Sequence, residues 1–206
     1  MSIVKPCVAV AFFLPALAAS GQQQVGFIQG EGHVFRVEVD FATFASRYSP
    51  QRMTQWCWAA SISNVFAFHG HPVSQERIVK EVYGSSVNMP ALSAITIARQ
   101  INRRWVDDNG ETFAARLTAA YDSQAKVVAI NNAFLINELK AGRPVIICNT
   151  SHCMVTTAID YSPVRVVGVG VFDPWPGKGA RNLSFSEMLP KDNGGELTFL
   201  GSLKID

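Results

Sequence analysis

Apolar residues at 58, 62, 65 and 66 (Trp58, Ile62, Val65, Phe66) recur at spacings of three and four. This predicts a helix over 57–69, stopped by Gly70 and Pro72. A second helix is expected over 75–83, with Ser74 as N-cap, Gly84 just past its end, and Ile78, Val79 and Val82 turned inward. A third, over 91–105, carries Leu92, Ile95, Ile97, Ala98 and Ile101, with Arg99, Arg103 and Arg104 on a solvated face and 107–110 ending it. Before these, 25–28 and the alternating stretch 34–41 read as one or two strands turned at 30–32, and 41–50 reads as a connector. After them the pattern becomes extended. The run 113–121 is ambiguous, 126–130 reads as a short strand, and 133–140 as a helix closed by Gly142. Strands are then expected over 144–148, 153–159, 164–172 and 197–205, the last after a turn at 193–195. Helices first and strands afterwards imply an α+β domain, a helical half packed on an antiparallel sheet. No repeat or long linker divides it.

Composition narrows the picture at the N-terminus. Lys5 precedes an apolar run over 8–17 that ends in Ala16, Ala18, Ala19 and Ser20. That is the pattern of a secretory signal peptide over 1–19, cut after Ala18 or Ala19, with one domain over 20–206; the run is too short to span a bilayer. The mature chain is therefore expected to be exported, secreted or periplasmic, with no membrane segment. At 206 residues, 48% hydrophobic and 17% charged, it can bury a substantial core. A formal net charge of +2 gives no electrostatic argument for nucleic acid.

Without Cys7 in the leader, Cys57, Cys148 and Cys153 remain, an odd number for an exported protein. Cys148 and Cys153 flank a four-residue segment between two strand-like runs; they can pair across a hairpin or stay as buried thiols. Cys57 is left over in either case. It stands between Trp56 and Trp58 in the first turn of the predicted helix, where unpaired N–H groups and the dipole favour a thiolate. The competing explanation is a small buried hydrophobe. A nucleophilic thiol needs a base and an orienting partner. His33, His69 and His71 suit exposed turns or a helix cap, and no cysteine or carboxylate at ligand spacing around His69 and His71 suggests a metal. His152 is placed at a strand start, where its ring can project into a cleft. Asp173, in Phe172-Asp173-Pro174-Trp175-Pro176-Gly177, ends a strand at a turn stiffened by two prolines and covered by Trp175. Alone, Asp-Pro is a turn initiator. Together, Cys57, His152 and Asp173 form an ordered nucleophile, base and acid.

Four features, Gln51 six residues before the cysteine, Trp56-Cys57-Trp58-Ala59-Ala60, Ser151-His152-Cys153-Met154-Val155 and the Asp-Pro-Trp-Pro-Gly turn, jointly resemble the papain-like cysteine peptidases. The likeness is to the short bacterial branch that includes avirulence protease effectors and bacteriocin-processing peptidases, and it covers roughly 50–177. It implies a compact papain-like fold, Cys57 as nucleophile, His152 as general base and acid, Asp173 as its orienting residue, and Gln51 as an oxyanion-hole side chain beside the Cys57 N–H. An amide at Gln51 can donate to a developing oxyanion; Gln55 lies too near the thiol to fold back over it. The chain departs from the larger enzymes in three ways. Thr54-Gln55-Trp56 replaces a glycine and second cysteine before the nucleophile, Asp173 stands where asparagine is common, and His152 follows Cys57 sooner.

The resemblance implies hydrolysis of protein or peptide substrates without metal or organic cofactor, and leaves room for a cognate inhibitor or immunity protein. Cleavage of a cell-wall peptide or isopeptide bond, or acyl transfer, would use the same triad. A papain-like domain that binds peptides without turnover is the non-enzymatic rival.

Overall fold

Described over residues 22–206, the computed structural model builds the predicted central helix and lays it against a sheet. The signal peptide expected over 1–19 lies outside the described residues. The elements run β1 (Gln23–Ile28), β2 (Gly32–Glu38), α1 (Phe41–Arg47), α2 (Cys57–Phe68), α3 (Gln75–Tyr83), α4 (Ala94–Gln100), β3 (Arg103–Val106), β4 (Thr112–Asp122), β5 (Val127–Val128), α5 (Asn132–Lys140), β6 (Val145–Cys148), β7 (Cys153–Tyr161), β8 (Val166–Asp173), β9 (Gly179–Asn182), α6 (Phe185–Met188) and β10 (Phe199–Ile205). The fold is α+β. Strands follow the order β1-β2-β7-β6-β10-β4-β3, with β5 on β4 and β8 between β7 and β9, all antiparallel.

α2 is the centre of the core. Trp58, Ala59, Ala60, Ile62, Val65 and Phe66 are buried, so the helix is enclosed on nearly every side rather than presenting one apolar stripe. It lies against β6 and β7, the strands on either side of His152. Phe66 meets Phe113 edge-on at 5.1 Å between ring centroids and Trp105 at 5.8 Å, joining the helix to β3 and β4. Each such fully buried side chain contributes about 1.5–3 kcal/mol relative to exposure. The Trp56 indole donates to the Val87 carbonyl (2.8 Å) and that of Trp58 to Met89 (3.2 Å), so both tryptophans are anchored by one loop.

The structure corrects several sequence expectations. The connector at 41–50 contains α1, nucleated by Asp40, whose carboxylate accepts from the Thr43 N–H (3.0 Å), and anchored by Phe44 against Phe172 (4.7 Å). The third helix is cut to α4, and Trp105 becomes a strand residue paired with Phe113. Of the apolar residues read onto that helix, Leu92 and Ile95 are exposed, and Ile97 and Ile101 carry the packing. The run 113–121 resolves as the long strand β4, fixed by pairing with β10 rather than by local pattern. The turn at 107–110 connects β3 to β4 instead of ending a helix. β9 and α6 were not anticipated.

Candidate active site

Three segments meet at the N-terminus of α2. The first is the loop leading into Cys57, fastened from several directions. Asn64 clamps Ser49, accepting from its N–H (2.8 Å) and donating to its carbonyl (3.0 Å). Gln75 donates to the Pro50 carbonyl (2.9 Å) and accepts from the Arg52 N–H (3.0 Å). Cys57 is the only free cysteine among the described residues, half-buried, and the preceding N-cap, Trp56, offers no side-chain bond to the first turn. The N–H groups there stay available to a negative charge.

The second segment is the β6–β7 hairpin carrying His152. Cys148 and Cys153 face each other across the two strands and form a disulfide, which settles the alternative left open by the sequence. Between them the Asn149 side chain accepts from the N–H groups of Ser151 (3.0 Å) and His152 (2.7 Å), while Thr198 donates to the Cys148 and Asn149 carbonyls. The imidazole is thus mounted on a closed, cross-tied loop.

The third segment is the turn after β8. His152 Nε2 lies 2.5 Å from Asp173 Oδ1. Trp175 stands edge-on to the imidazole, centroids 6.3 Å apart. The turn is tied back to the loop before Cys57 twice: Gln51 N–H donates to Pro174 O (2.7 Å) and Tyr48 Oη–H to Asp173 O (2.7 Å). Asp173 is 3% exposed, yet it is held ionised. Burial pushes its pKa up, but hydrogen bonds from His152, the Trp175 N–H and Arg181 outweigh this and hold it at about 2. For His152, burial favours the neutral ring, and the hydrogen bonds to Asp173 and to the Cys57 side chain outweigh it, raising the pKa to about 9. An ionised Asp173 requires a proton on Nε2, so Nδ1 is the nitrogen left for the thiol.

Cys57, His152 and Asp173 are therefore brought together. Gln51 enters the same neighbourhood, 5% exposed, but its amide is turned into its own loop: Nε2 donates to the carbonyls of Met53 and Thr54 (both 3.0 Å), and Oε1 is buried without a partner. A cleft of about 580 Å³ opens beside the thiol, its walls including Trp58, Ala94, Ile97, Asn149 and His152.

Sequence reasoning missed Arg181 and Glu187. Arg181 Nε donates to Asp173 Oδ2 (2.8 Å), and its other nitrogens grip Glu187 at 2.7 and 3.0 Å. Ser184 and Glu187 form a capping box, a spacing legible in the sequence; nothing local points Arg181 at Asp173. It also missed that the β3–β4 turn carries carboxylates to His71, whose Nδ1 lies 3.1 Å from Asp107, with Glu111 close by. The buried Asp107 carboxylate is occupied in organising that turn, accepting from the N–H groups of Asn109 and Glu111. His33 is exposed, on β2 rather than in a turn, and His69 caps α2 as expected; burial lowers the pKa of His69 to about 4.

No curated protein and no solved structure matches the chain. The model of the Peptidase C39 like family matches residues 43–189, a span holding Gln51, Cys57, His152 and Asp173, and well over half of the chain. The chain thus belongs to the Peptidase C39 like family, cysteine peptidases of the papain-like kind.

Proposed function

We propose that the protein is an exported cysteine peptidase that hydrolyses peptide bonds of a protein or peptide substrate through Cys57, His152 and Asp173. The observation that carries this reading is the imidazole of His152 held between an ionised, buried carboxylate and a free thiol at a helix N-terminus. The Cys57 sulfur, its proton passed to His152, attacks the carbonyl carbon. As the tetrahedral intermediate collapses, the C–N bond breaks and the imidazolium gives its proton to the leaving amine. His152 then takes a proton from water, hydroxide adds to the thioester, and the C–S bond breaks to release the acid and regenerate the thiol. The Cys57 N–H donates to the oxyanion, joined by Gln51 once its amide exchanges a bond to Met53 or Thr54 for one to substrate.

The Cys148–Cys153 disulfide accords with the oxidising compartment that an N-terminal leader would reach. No helix among the described residues is long and apolar enough to cross a membrane. An epoxysuccinyl reagent is expected to label wild type at Cys57, and Cys57→Ala to abolish cleavage. Cleavage persisting in Cys57→Ala would refute the reading. Product analysis on linear peptides, isopeptides and cell-wall peptides separates hydrolysis from transfer and fixes the substrate class.

A further inference from the structure

We infer that Arg181, held by Glu187, is a positioning residue that fixes the Asp173 carboxylate so that one oxygen is kept for His152. The inference rests on Asp173 being the group that orients His152. That carboxylate is divided between two duties. Oδ1 accepts from His152 and from the Trp175 N–H (2.9 Å); Oδ2 accepts from Arg181 Nε (2.8 Å). Held at both oxygens, the carboxylate cannot rotate away from the imidazole, and no buried lone oxygen is left unpaired.

A guanidinium alone would fix the carboxylate at a cost, because its charge would compete with the imidazolium for the same anion. Glu187 removes that competition. It takes Arg181 in a two-pronged grip, Nη2 to Oε1 and Nη1 to Oε2, and is itself fixed by the Ser184 N–H (2.8 Å). The remaining contacts of the guanidinium, to Met154 Sδ and the Asn182 carbonyl, are uncharged. The pair is thus close to neutral as seen from Asp173, and it is sheltered: the side chains of Asp173, Glu187 and Arg181 are 5%, 13% and 26% exposed. This assigns a purpose to β9 and α6, which place Arg181 and Glu187 beside the strand that ends in Asp173. The groups facing the imidazole and its carboxylate are then Cys57 from α2, Tyr48 from the end of α1, Asp173 from β8, Arg181 from β9 and Glu187 from α6.

The test uses the full chain, with Arg181→Met, Glu187→Gln and the double variant. Two readouts are taken: the His152 imidazole titration by NMR, and kcat and KM for peptide cleavage. Glu187→Gln leaves the cation unopposed and is expected to move the titration to lower pH; Arg181→Met leaves two carboxylates and moves it to higher pH. Each shift should be roughly half a unit or more, and the double variant should return close to wild type. Arg181→Met should also lose about tenfold in kcat, part of the ~10²–10⁴ of a positioned acid–base, with KM within about twofold. Opposed shifts show that both charges reach the imidazole; a merely structural pair would not give the selective loss of kcat, which the double variant, lacking the guanidinium, should share with Arg181→Met. Folded variants that titrate like wild type, or that both shift in one direction, overturn the inference. Should Arg181→Met not fold, Glu187→Gln decides alone: a downward shift supports the inference, and an unchanged or upward one overturns it. The titration needs no turnover. Opposed shifts in a chain that cleaves nothing would contradict the peptidase reading and support the clamp; cleavage without opposed shifts would overturn the clamp only.

Discussion

Gln51 is the residue whose role the geometry constrains most. Its Nε2 protons are engaged by the Met53 and Thr54 carbonyls, so it contributes to an oxyanion hole only by exchanging one of those bonds. Gln51→Ala is therefore expected to lose on the order of 10²–10³ in kcat with a smaller change in KM, measured by steady-state kinetics; an unchanged kcat would confine Gln51 to holding its loop. The pH dependence is set by two oppositely shifted groups. His152 is raised to about 9, so its stabilising pairing is fully present below its ordinary value near 6.5 and is lost as pH rises through about 9. Asp173 is depressed to about 2, so its contribution is present above its ordinary value near 3.8 and is lost as pH falls through about 2. Cleavage should accordingly fall on an alkaline limb near pH 9, and Asp173→Asn should move that limb down while lowering kcat; a limb unmoved by Asp173→Asn would contradict the assignment. At this scale the thiol, imidazole and carboxylate were legible because each sits in a distinctive local setting. Arg181 and Glu187 were not, since a charged residue names its partner only once the fold brings distant segments together.

Among the elements, the β6–β7 hairpin carries the sharpest expectation. The disulfide closes a short loop that already holds its shape through Asn149 and Thr198. Replacing both Cys148 and Cys153 by serine should cost about 2 kcal/mol in urea unfolding on the chain-entropy account and lower kcat by loosening the mount of His152. Unchanged stability and kcat would show that the side-chain bonds suffice. Element by element, α2, α3 and the strands around His152 could be read directly, because their apolar spacing and their glycine or asparagine ends agree with the tertiary outcome. α1 was missed because its seven residues are too few for periodicity to show, although Asp40 before Phe41 and Phe44 is a cap signal. The third helix was overextended because Ile101 and Trp105 continue a helical spacing, while pairing of 103–106 with β4 claims that segment for the sheet.

For the whole molecule, one sheet carries His152 and Asp173, and one helix carries Cys57. A small error in their docking would separate the proposed triad. That docking is carried by the core around Trp58, Ile62 and Phe66 and by the Tyr48 and Gln51 ties to the Asp173–Pro174 turn. The α+β class was legible from the order of helices and strands; the sheet order was not, since β10 joining β4 to β6 is a long-range pairing with no local signature. Export is tested on the chain as expressed: the N-terminus of the exported protein should begin at Ala19 or Ser20, and an intact leader on secreted material would contradict that cleavage. The most direct test of the central claim is mass-spectrometric mapping of an epoxysuccinyl adduct, run beside peptide cleavage by wild type and Cys57→Ala. The structure leads to a single adduct on Cys57 that abolishes cleavage, and to no cleavage by Cys57→Ala. An adduct elsewhere, or full cleavage by Cys57→Ala, would contradict it.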